Sequence, residues 1–146
     1  MKFYGVGVKL GAYTSEPKDI LQECIENNVW YMGFNKDVKP SYEEIISNVQ
    51  VGDLIFAKSL HQATKDEMRI KAIGIVVDNP LTENYNNHTS LSVLWIRKFS
   101  PPVNLSYLKM NFLKNVNRRN TIFQEIDSII IDEILKLIKI KWKLEE

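Results

Sequence analysis

Three short segments of this chain carry side chains that together suit the recognition of a nucleobase. They are Trp30-Tyr31, Lys58-Ser59 and Arg118-Arg119-Asn120-Thr121. A flat aromatic ring can stack on a base, with a gain of about 1–3 kcal/mol, while an asparagine amide can both donate to and accept from a base edge. An arginine beside the asparagine can hold the neighbouring phosphate. Because the segments lie far apart in the sequence, only the fold can bring them together.

Each of these side chains also has a structural interpretation. A tryptophan such as Trp30 is often part of a core, Asn120 can cap a turn, and Lys58 can be an ordinary surface lysine. The sequence leaves both interpretations open for each residue. The exposure of Trp30 separates them most clearly, because a stacking ring must be partly exposed and a core ring is not.

Side chains for catalysis or metal binding are sparse. The chain has one cysteine, Cys24, and two histidines, His61 and His88, which lie far apart in polar contexts. No HExxH or CxxC spacing and no nucleophile elbow occurs, so a zinc site is not expected. Adjacent carboxylates fall where a helix or loop would expose them. The sequence therefore predicts a protein that is not an enzyme and that uses neither a metal nor a cofactor.

Length and composition indicate one ordinary globular domain. The chain has 146 residues, of which 45% are hydrophobic and 25% are charged, and this length can bury a core without disulfides. A single cysteine suits a reducing compartment. No segment resembles a signal peptide or a membrane span. We expect a cytoplasmic protein with one domain over residues 1–146 and no membrane partner.

The net charge of +1 hides an asymmetry along the chain. No acidic residue occurs between Glu83 and Glu125, so this stretch contributes +6 and the remainder sums to −5. Its cations are Arg97, Lys98, Lys109, Lys114, Arg118 and Arg119. A basic segment on an otherwise acidic protein is typical of a face that binds a polyanion. A solvated surface with scattered cations is the open alternative.

The hydrophobic periodicity predicts an α+β order. Strands are expected at 2–9, 29–32, 53–59, 68–78 and 90–98, with helices at 17–27, 41–49 and 127–143. Pro101-Pro102 should break the strand before them, and the segment 79–89 reads as a polar loop. Residues 105–113 fit a short helix or turn, and 118–124 is ambiguous. A glycine in the fourth strand, Gly74, suits a sharp bend of the sheet.

The last predicted helix is strongly apolar. Asp127 can cap its start, and acidic residues come early and lysines late, as the helix dipole favours. Its apolar face comprises Ile130, Ile131, Ile134, Leu135 and Ile138. The helix either packs on the core or offers a surface to a protein partner.

In its order of motifs the chain resembles the PUA-like superfamily, within it the EVE and YTH branches. The matching segments are FYGVGVKLGAYTSEPKDILQECIENNVW, VGDLIFAKS followed by RIKAIGIVVD, and VLWIRKFSPPVNL followed by RRNTIFQEI. Related modules occur at the N-termini of McrB-type restriction proteins, which sense modified DNA. The resemblance implies a curved, mostly antiparallel PUA-like β-barrel with helices packed against it. It also implies non-catalytic binding of a nucleic acid, DNA rather than RNA, that carries a modified base.

The resemblance assigns a role to each matching position. Trp30 would stack on a base flipped out of the helix, and Asn120 stands where YTH domains have an aspartate that reads the base edge. Lys9, Leu10 and Gly11 would line the pocket floor, Lys58 and Ser59 would flank it, and Tyr85 would supply a second aromatic wall. Arg119 stands where an arginine holds the phosphate in that family, and the basic segment adds Arg118, Lys98 and Lys114 as further candidates for phosphate binding.

Two other functions fit the same fold. ASCH domains share it, and some resemble small amidohydrolases that act on modified nucleosides through a Lys-Thr-Glu set. Here Lys9 or Lys58 could serve as the base, but no glutamate is clearly placed to complete the set. The third possibility is a protein-interaction module with a degenerate pocket, which would show Trp30 buried in the core and use the helix at 127–143.

Overall fold

The structure, a computed structural model, describes most of the chain. It covers residues 1–10, 16–33, 40–61, 67–79, 85, 88–105, 118 and 120–145. For residues 40, 41, 60, 61, 67 and 140–145 it describes the backbone only.

Eight strands and three helices are found in this part of the chain. The strands are β1 (Phe3–Gly7), β2 (Lys9–Leu10), β3 (Lys18–Asp19), β4 (Val29–Tyr31), β5 (Leu54–His61), β6 (Glu67–Asp78), β7 (Ser90–Asn104) and β8 (Ile122–Glu125). The helices are α1 (Leu21–Glu26), α2 (Pro40–Ser47) and α3 (Ser128–Glu145). No helix of the described residues has the length and apolar character needed to cross a membrane.

Six of the strands form one curled sheet, which confirms the predicted α+β class with a mostly antiparallel sheet. Their order is β4-β7-β6-β5-β1-β8. Only β1 and β5 run parallel, with Gly7 opposite Lys58, and the other neighbouring pairs are antiparallel. β2 and β3 form a separate two-stranded ribbon in which Lys9 faces Asp19.

The sheet curls into a half-barrel, and a hydrogen bond between its first and fifth strands shows that the curvature is strong. β4 and β1 stand at positions one and five of the strand order. Nevertheless the indole Nε1 of Trp30 on β4 donates to the carbonyl oxygen of Gly7 on β1, at 2.9 Å. A flat sheet would hold strands four places apart at roughly 19 Å, at about 4.8 Å per strand. The contact therefore requires strong curvature.

Two apolar cores lie on the two faces of the sheet. Along β1 and β5 successive residues alternate between them: Tyr4, Val6, Ile55 and Ala57 belong to one, and Phe3, Leu54 and Phe56 to the other. The first core contains Trp30 and is covered by α1 and α2 through Cys24 and Ile46. The second is covered by α3 through Ile130 and Ile134. The alternation follows from the two-residue repeat of a strand.

The prediction that Pro101-Pro102 ends the strand is wrong, because β7 continues to Asn104. The ladder between β6 and β7 pairs Ile70 with Val103 and then Ala72 with Lys98. Between these pairs β6 has only Lys71, whereas β7 has the four residues 99–102. The prolines thus lie in a long bulge of four residues, where a missing backbone N–H breaks no ladder hydrogen bond.

Gly74 lies where two strands of the sheet approach closely. A Cβ at this position would stand 2.5 Å from Val93 Cγ1 and 3.0 Å from the Leu94 carbonyl oxygen. The ladder also shifts register between Ile73 and Gly74. Only glycine fits this distortion of the curled sheet, as the sequence suggested.

The helix ends agree partly with expectation. Asp127 caps α3 as predicted, since its Oδ1 accepts from the backbone N–H of Ile129 at 2.9 Å. α1 is shorter than the predicted 17–27, because residues 18–19 pair with β2 as β3 before the helix begins. The segment 106–113, which is most of the predicted short helix or turn, lies outside the described residues.

Candidate functional site

Residues of the three segments proposed for base recognition, around Trp30, Lys58 and Asn120, lie close together at the end of β1, next to Gly7. The Gly7 carbonyl accepts from Trp30 Nε1, and the Gly7 N–H donates to the Thr121 carbonyl at 2.8 Å. Lys58 is the register partner of Gly7 on β5, and its Nζ donates to the carbonyl oxygen of Asn120 at 2.8 Å. Residues 30, 58 and 120 therefore meet around a single strand end.

The side chains of Trp30 and Lys58 lie on opposite faces of the sheet. Trp30 belongs to the core under α1 and α2. Lys58 Nζ lies 5.6 Å from the ring centre of Phe123, which belongs to the core under α3. The indole and the ammonium are thus separated by the strand itself. They are not two walls of one pocket.

Trp30 is a core residue, so the partial exposure expected of a stacking ring is wrong, and the burial is the one expected of a protein-interaction module. The side chain is 0% exposed, and its single polar atom is bonded to Gly7. A base could not stack on this ring without unpacking the sheet ends that the indole joins. The sequence could not show this, because the partner of Nε1 lies 23 residues away.

Lys58 is a buried cation, with 6% of its surface exposed. Burial lowers the pKa of its ammonium from 10.5 to about 8, because the charged form loses its hydration. Two compensating contacts are present: the hydrogen bond to the Asn120 carbonyl and the face of the Phe123 ring. Neither is an ion pair, so the charge destabilises the fold near neutral pH.

This burial has a measurable consequence. Below about pH 8 the folded and unfolded chains both hold the Lys58 proton, and the folded state bears the full desolvation penalty. Between about pH 8 and 10.5 the unfolded chain binds more protons, so stability from this group rises with pH. Relative to Lys58→Met, the wild type should gain about 2–3 kcal/mol in free energy of unfolding between pH 7 and 10. Urea unfolding of both proteins at the two pH values measures this, and a constant difference would contradict a buried ammonium.

The backbone of Asn120 is held by hydrogen bonds, whereas its side-chain amide has no hydrogen bond to the part of the chain that the structure describes. Its backbone carbonyl is held by Lys58, and the next residue, Thr121, accepts from Gly7 N–H and donates its own N–H to the Tyr42 hydroxyl at 3.3 Å. The residue is partly exposed. Within the described part of the chain no group is hydrogen-bonded to its side-chain amide. The amide is therefore held on a rigid backbone with its donor and acceptor available.

Tyr85 does not face Trp30, so the expected two-walled cage is absent from the described residues. Its ring stacks on Tyr31 at a centroid distance of 5.0 Å, and His88 lies at 5.0 Å on Tyr31 as well. The hydroxyls of Tyr85 and Tyr31 donate to the Glu23 carboxylate at 2.8 and 3.3 Å. The Tyr85 hydrogen bond is the main cause that lowers the pKa of Glu23. The cluster fastens the β6–β7 connection to α1.

Arg118 is not available to a phosphate, and that expectation is wrong. Its side chain is 0% exposed and forms a two-pronged ion pair with Glu125, Nε to Oε1 at 2.7 Å and Nη2 to Oε2 at 2.8 Å. Glu125 also accepts from the backbone N–H of Asp127 at 3.1 Å, immediately before α3. The pair therefore ties residue 118 to β8 and to the start of the last helix.

The other predicted phosphate and pocket residues are spread around the sheet. Lys98 is exposed, and its Nζ donates to Gln22 Oε1 at 2.7 Å. Lys9 is exposed on β2, Leu10 is partly buried, and Ser59 is partly exposed on β5. Gly11, Lys114 and Arg119 lie outside the described residues. Of the four described residues Lys98, Lys9, Leu10 and Ser59, Ser59 alone directly follows a residue of the cluster at Gly7, Lys58.

Comparison with known proteins gives no family for this chain. None of the protein-family models matches it, and no curated protein matches it. The resemblance to the PUA-like superfamily therefore stays a prediction.

The sequence-based reasoning missed two carboxylates that organise these residues. Glu125 closes the basic segment and neutralises Arg118, and Glu23 gathers Lys18 and two tyrosines, with Lys18 Nζ at 3.5 Å. In the sequence, the one signal for the Arg118 pair is that Glu125 stands two residues after the apolar Phe123, on the same face of a short strand. Among the described residues no group of three histidine, cysteine or carboxylate side chains could hold a metal ion.

Proposed function

We propose that this chain is a non-catalytic nucleic-acid-binding domain, more suited to DNA than to RNA, that recognises a modified base. The base is taken out of its stack and its edge is read by Asn120. Lys58 acts as a positioning residue that holds the Asn120 backbone. In this proposal the curled sheet is the PUA-like barrel that the sequence resembles, and Trp30 fixes its ends instead of stacking on the base.

The observation that carries the proposal is the state of the Asn120 amide. A polar side chain that is partly exposed, unbonded among described groups and mounted on a fixed backbone can bind a ligand without breaking a hydrogen bond to those groups and without ordering the backbone. An amide offers one donor and one acceptor side by side, which matches a base edge with the reverse pair. The aspartate of YTH domains offers acceptors only, so the preferred base should differ from theirs.

The buried ammonium of Lys58 supports the same assignment. A buried lysine lowers the stability of the fold, so its retention is explained if function requires the Asn120 carbonyl to stay in this position. Lys58→Met should therefore weaken base recognition while leaving the protein at least as stable at pH 7. A purely structural lysine would show the reverse, with lost stability and unchanged recognition.

Asn120→Ala tests the direct contact. The substitution removes the amide but keeps the backbone carbonyl that Lys58 binds, so folding should be unchanged. Affinity for the preferred modified base should fall about tenfold, since one two-pronged base contact contributes about 1–3 kcal/mol of discrimination. Fluorescence anisotropy with labelled oligonucleotides measures the loss.

Asn48→Ala is the matched control for that measurement. Asn48 is exposed on the turn after α2, and its Nδ2 donates to the Glu44 carbonyl at 3.0 Å. It should bind every probe as the wild type does. Equal binding by Asn120→Ala and Asn48→Ala would contradict the role of Asn120.

A hydrolase is the second candidate, and the lowered pKa of Lys58 is the observation that favours it. An amine with a pKa of about 8 can act as a general base near neutral pH. However, the hydrogen bond of its Nζ goes to the Asn120 carbonyl, and no described carboxylate forms an ion pair with it. Release of free nucleoside or acid from an acylated cytidine, lost in Lys58→Met, would establish this function.

A further inference from the structure

A second surface, away from Gly7, contains an open cleft of about 350 Å³ between α1 and the bulge of β7. Its lining includes two lysines, Lys71 and Lys98, the acidic Asp19, the polar Gln22, and the apolar Leu21 and Phe99. We propose that this cleft binds a nucleotide unit, with its phosphate on the two lysines and its base or sugar on the apolar side chains. The proposal does not depend on the single-base site at Asn120.

The bulge creates the cleft. If β6 and β7 stayed in register, residues 99–102 would pair along β6 and leave no hollow. Instead four residues of β7 lie opposite Lys71 alone, and the strand turns away from its neighbour there. Bulges of this kind are common beside binding sites, where they redirect a side chain. Here the redirected segment forms one wall of the cleft.

The cations of the cleft have weak partners at present. Lys71 Nζ lies 3.3 Å from Asp19 Oδ2, but the Asp19 side chain is 56% exposed. Lys98 binds the neutral amide oxygen of Gln22. An exposed ion pair contributes only about 0–1 kcal/mol, and a phosphate oxygen is a stronger acceptor than an amide. Displacing Gln22 from Lys98 therefore costs an incoming phosphate little, whereas at Lys71 the phosphate must compete with the Asp19 carboxylate, whose Oδ1 accepts from the Leu21 N–H at 2.9 Å.

The apolar lining indicates more than a free inorganic anion. Leu21 and Phe99 are 6% and 8% exposed, and the exposed edge of each lies in the lining of the cleft beside the two lysines. Ligand sites of ~300 Å³ and larger commonly combine an apolar surface with a few polar groups. A phosphate attached to a flat, partly apolar body uses both features. Nucleotides have this chemistry, either free or as units of a strand.

The test is a titration followed by amide NMR shifts. Adenosine 5′-monophosphate and cytidine 5′-monophosphate should each give saturable shifts at Lys71, Lys98 and Gln22. Adenosine and cytidine, which lack the phosphate, should bind at least about tenfold more weakly. A dinucleotide with only an internal phosphodiester then distinguishes the two possible ligands. If the dinucleotide binds, the cleft takes a nucleotide within a nucleic-acid strand. If only the monophosphates bind, the cleft takes a free nucleotide.

Lys98→Ala should weaken the binding of both monophosphates about tenfold, through loss of one charge-assisted hydrogen bond. Lys136→Ala is the matched control, because Lys136 is an exposed lysine on α3 that pairs with Glu133 at 3.2 Å. It should bind the nucleotides as the wild type does. The proposal is overturned if no saturable shift appears at the cleft, if nucleosides bind as tightly as nucleotides, or if both lysine variants lose affinity equally.

Discussion

Trp30→Ala should lower the free energy of unfolding by about 3–5 kcal/mol, the range for a large buried aromatic side chain. The indole is 0% exposed and packs with residues of β1, β4, α1 and α2. Its removal leaves a cavity in the core and deletes the hydrogen bond that joins β4 to β1 across the half-barrel. Denaturant unfolding followed by circular dichroism measures the loss.

Trp30→Phe separates the two contributions. It keeps most of the apolar volume but leaves the Gly7 carbonyl without its indole donor, so a smaller loss of about 1–3 kcal/mol is expected. Trp95→Ala is the matched control, because Trp95 is only partly buried and donates to the Val29 carbonyl at 3.1 Å. It should be less damaging than Trp30→Ala. If Trp30→Ala were as stable as the wild type and had lost only nucleic-acid binding, Trp30 would be an exposed stacking ring after all.

Arg118→Met should lower stability by a similar amount, about 3–5 kcal/mol. The substitution removes the guanidinium that pairs with Glu125 and leaves a carboxylate that is 1% exposed without it. An unpaired buried charge is far more costly than the pair was valuable. Urea unfolding compares this variant with the wild type.

The double variant Arg118→Met/Glu125→Leu checks that explanation. It removes both charges, so it should recover most of the lost stability, as when a buried ion pair is replaced by apolar residues. If the double variant were no more stable than Arg118→Met, the stranded carboxylate would not be the cause. In that case the guanidinium would act mainly through its other contacts near Asp127, whose Oδ2 lies 3.8 Å away.

Much of the fold could be predicted because strand alternation is a local signal. The strands β5 and β6, including Gly74 within β6, follow from the hydrophobic pattern alone. The Asp127 cap follows from residue type and position. The continuation of β7 through Pro101-Pro102 could not be predicted. Proline excludes a regular ladder, and nothing in the local sequence shows that a bulge replaces it.

The site was less accessible to sequence reasoning, because its residues act through distant partners. Trp30 and Tyr31 look equally suited to a pocket, but the Gly7 carbonyl decides that Trp30 is core. Arg118 looks like part of a basic run until Glu125, on the strand after it, takes its charge. Asn120 differs from both, since its backbone is hydrogen-bonded while its side-chain amide has no hydrogen bond to any described residue.

The most direct test of the account is the affinity of the wild-type protein for modified and unmodified oligonucleotides. Short labelled single- and double-stranded DNA and RNA would carry cytosine, 5-methylcytosine, 5-hydroxymethylcytosine, adenine or N6-methyladenine, and fluorescence anisotropy would be read at two salt concentrations. We expect one modified base to bind more tightly than its unmodified form, with a preference that high salt does not remove, because edge hydrogen bonds are less screened than phosphate contacts. Equal affinity for all probes, or no binding to any of them, would contradict base recognition by this domain.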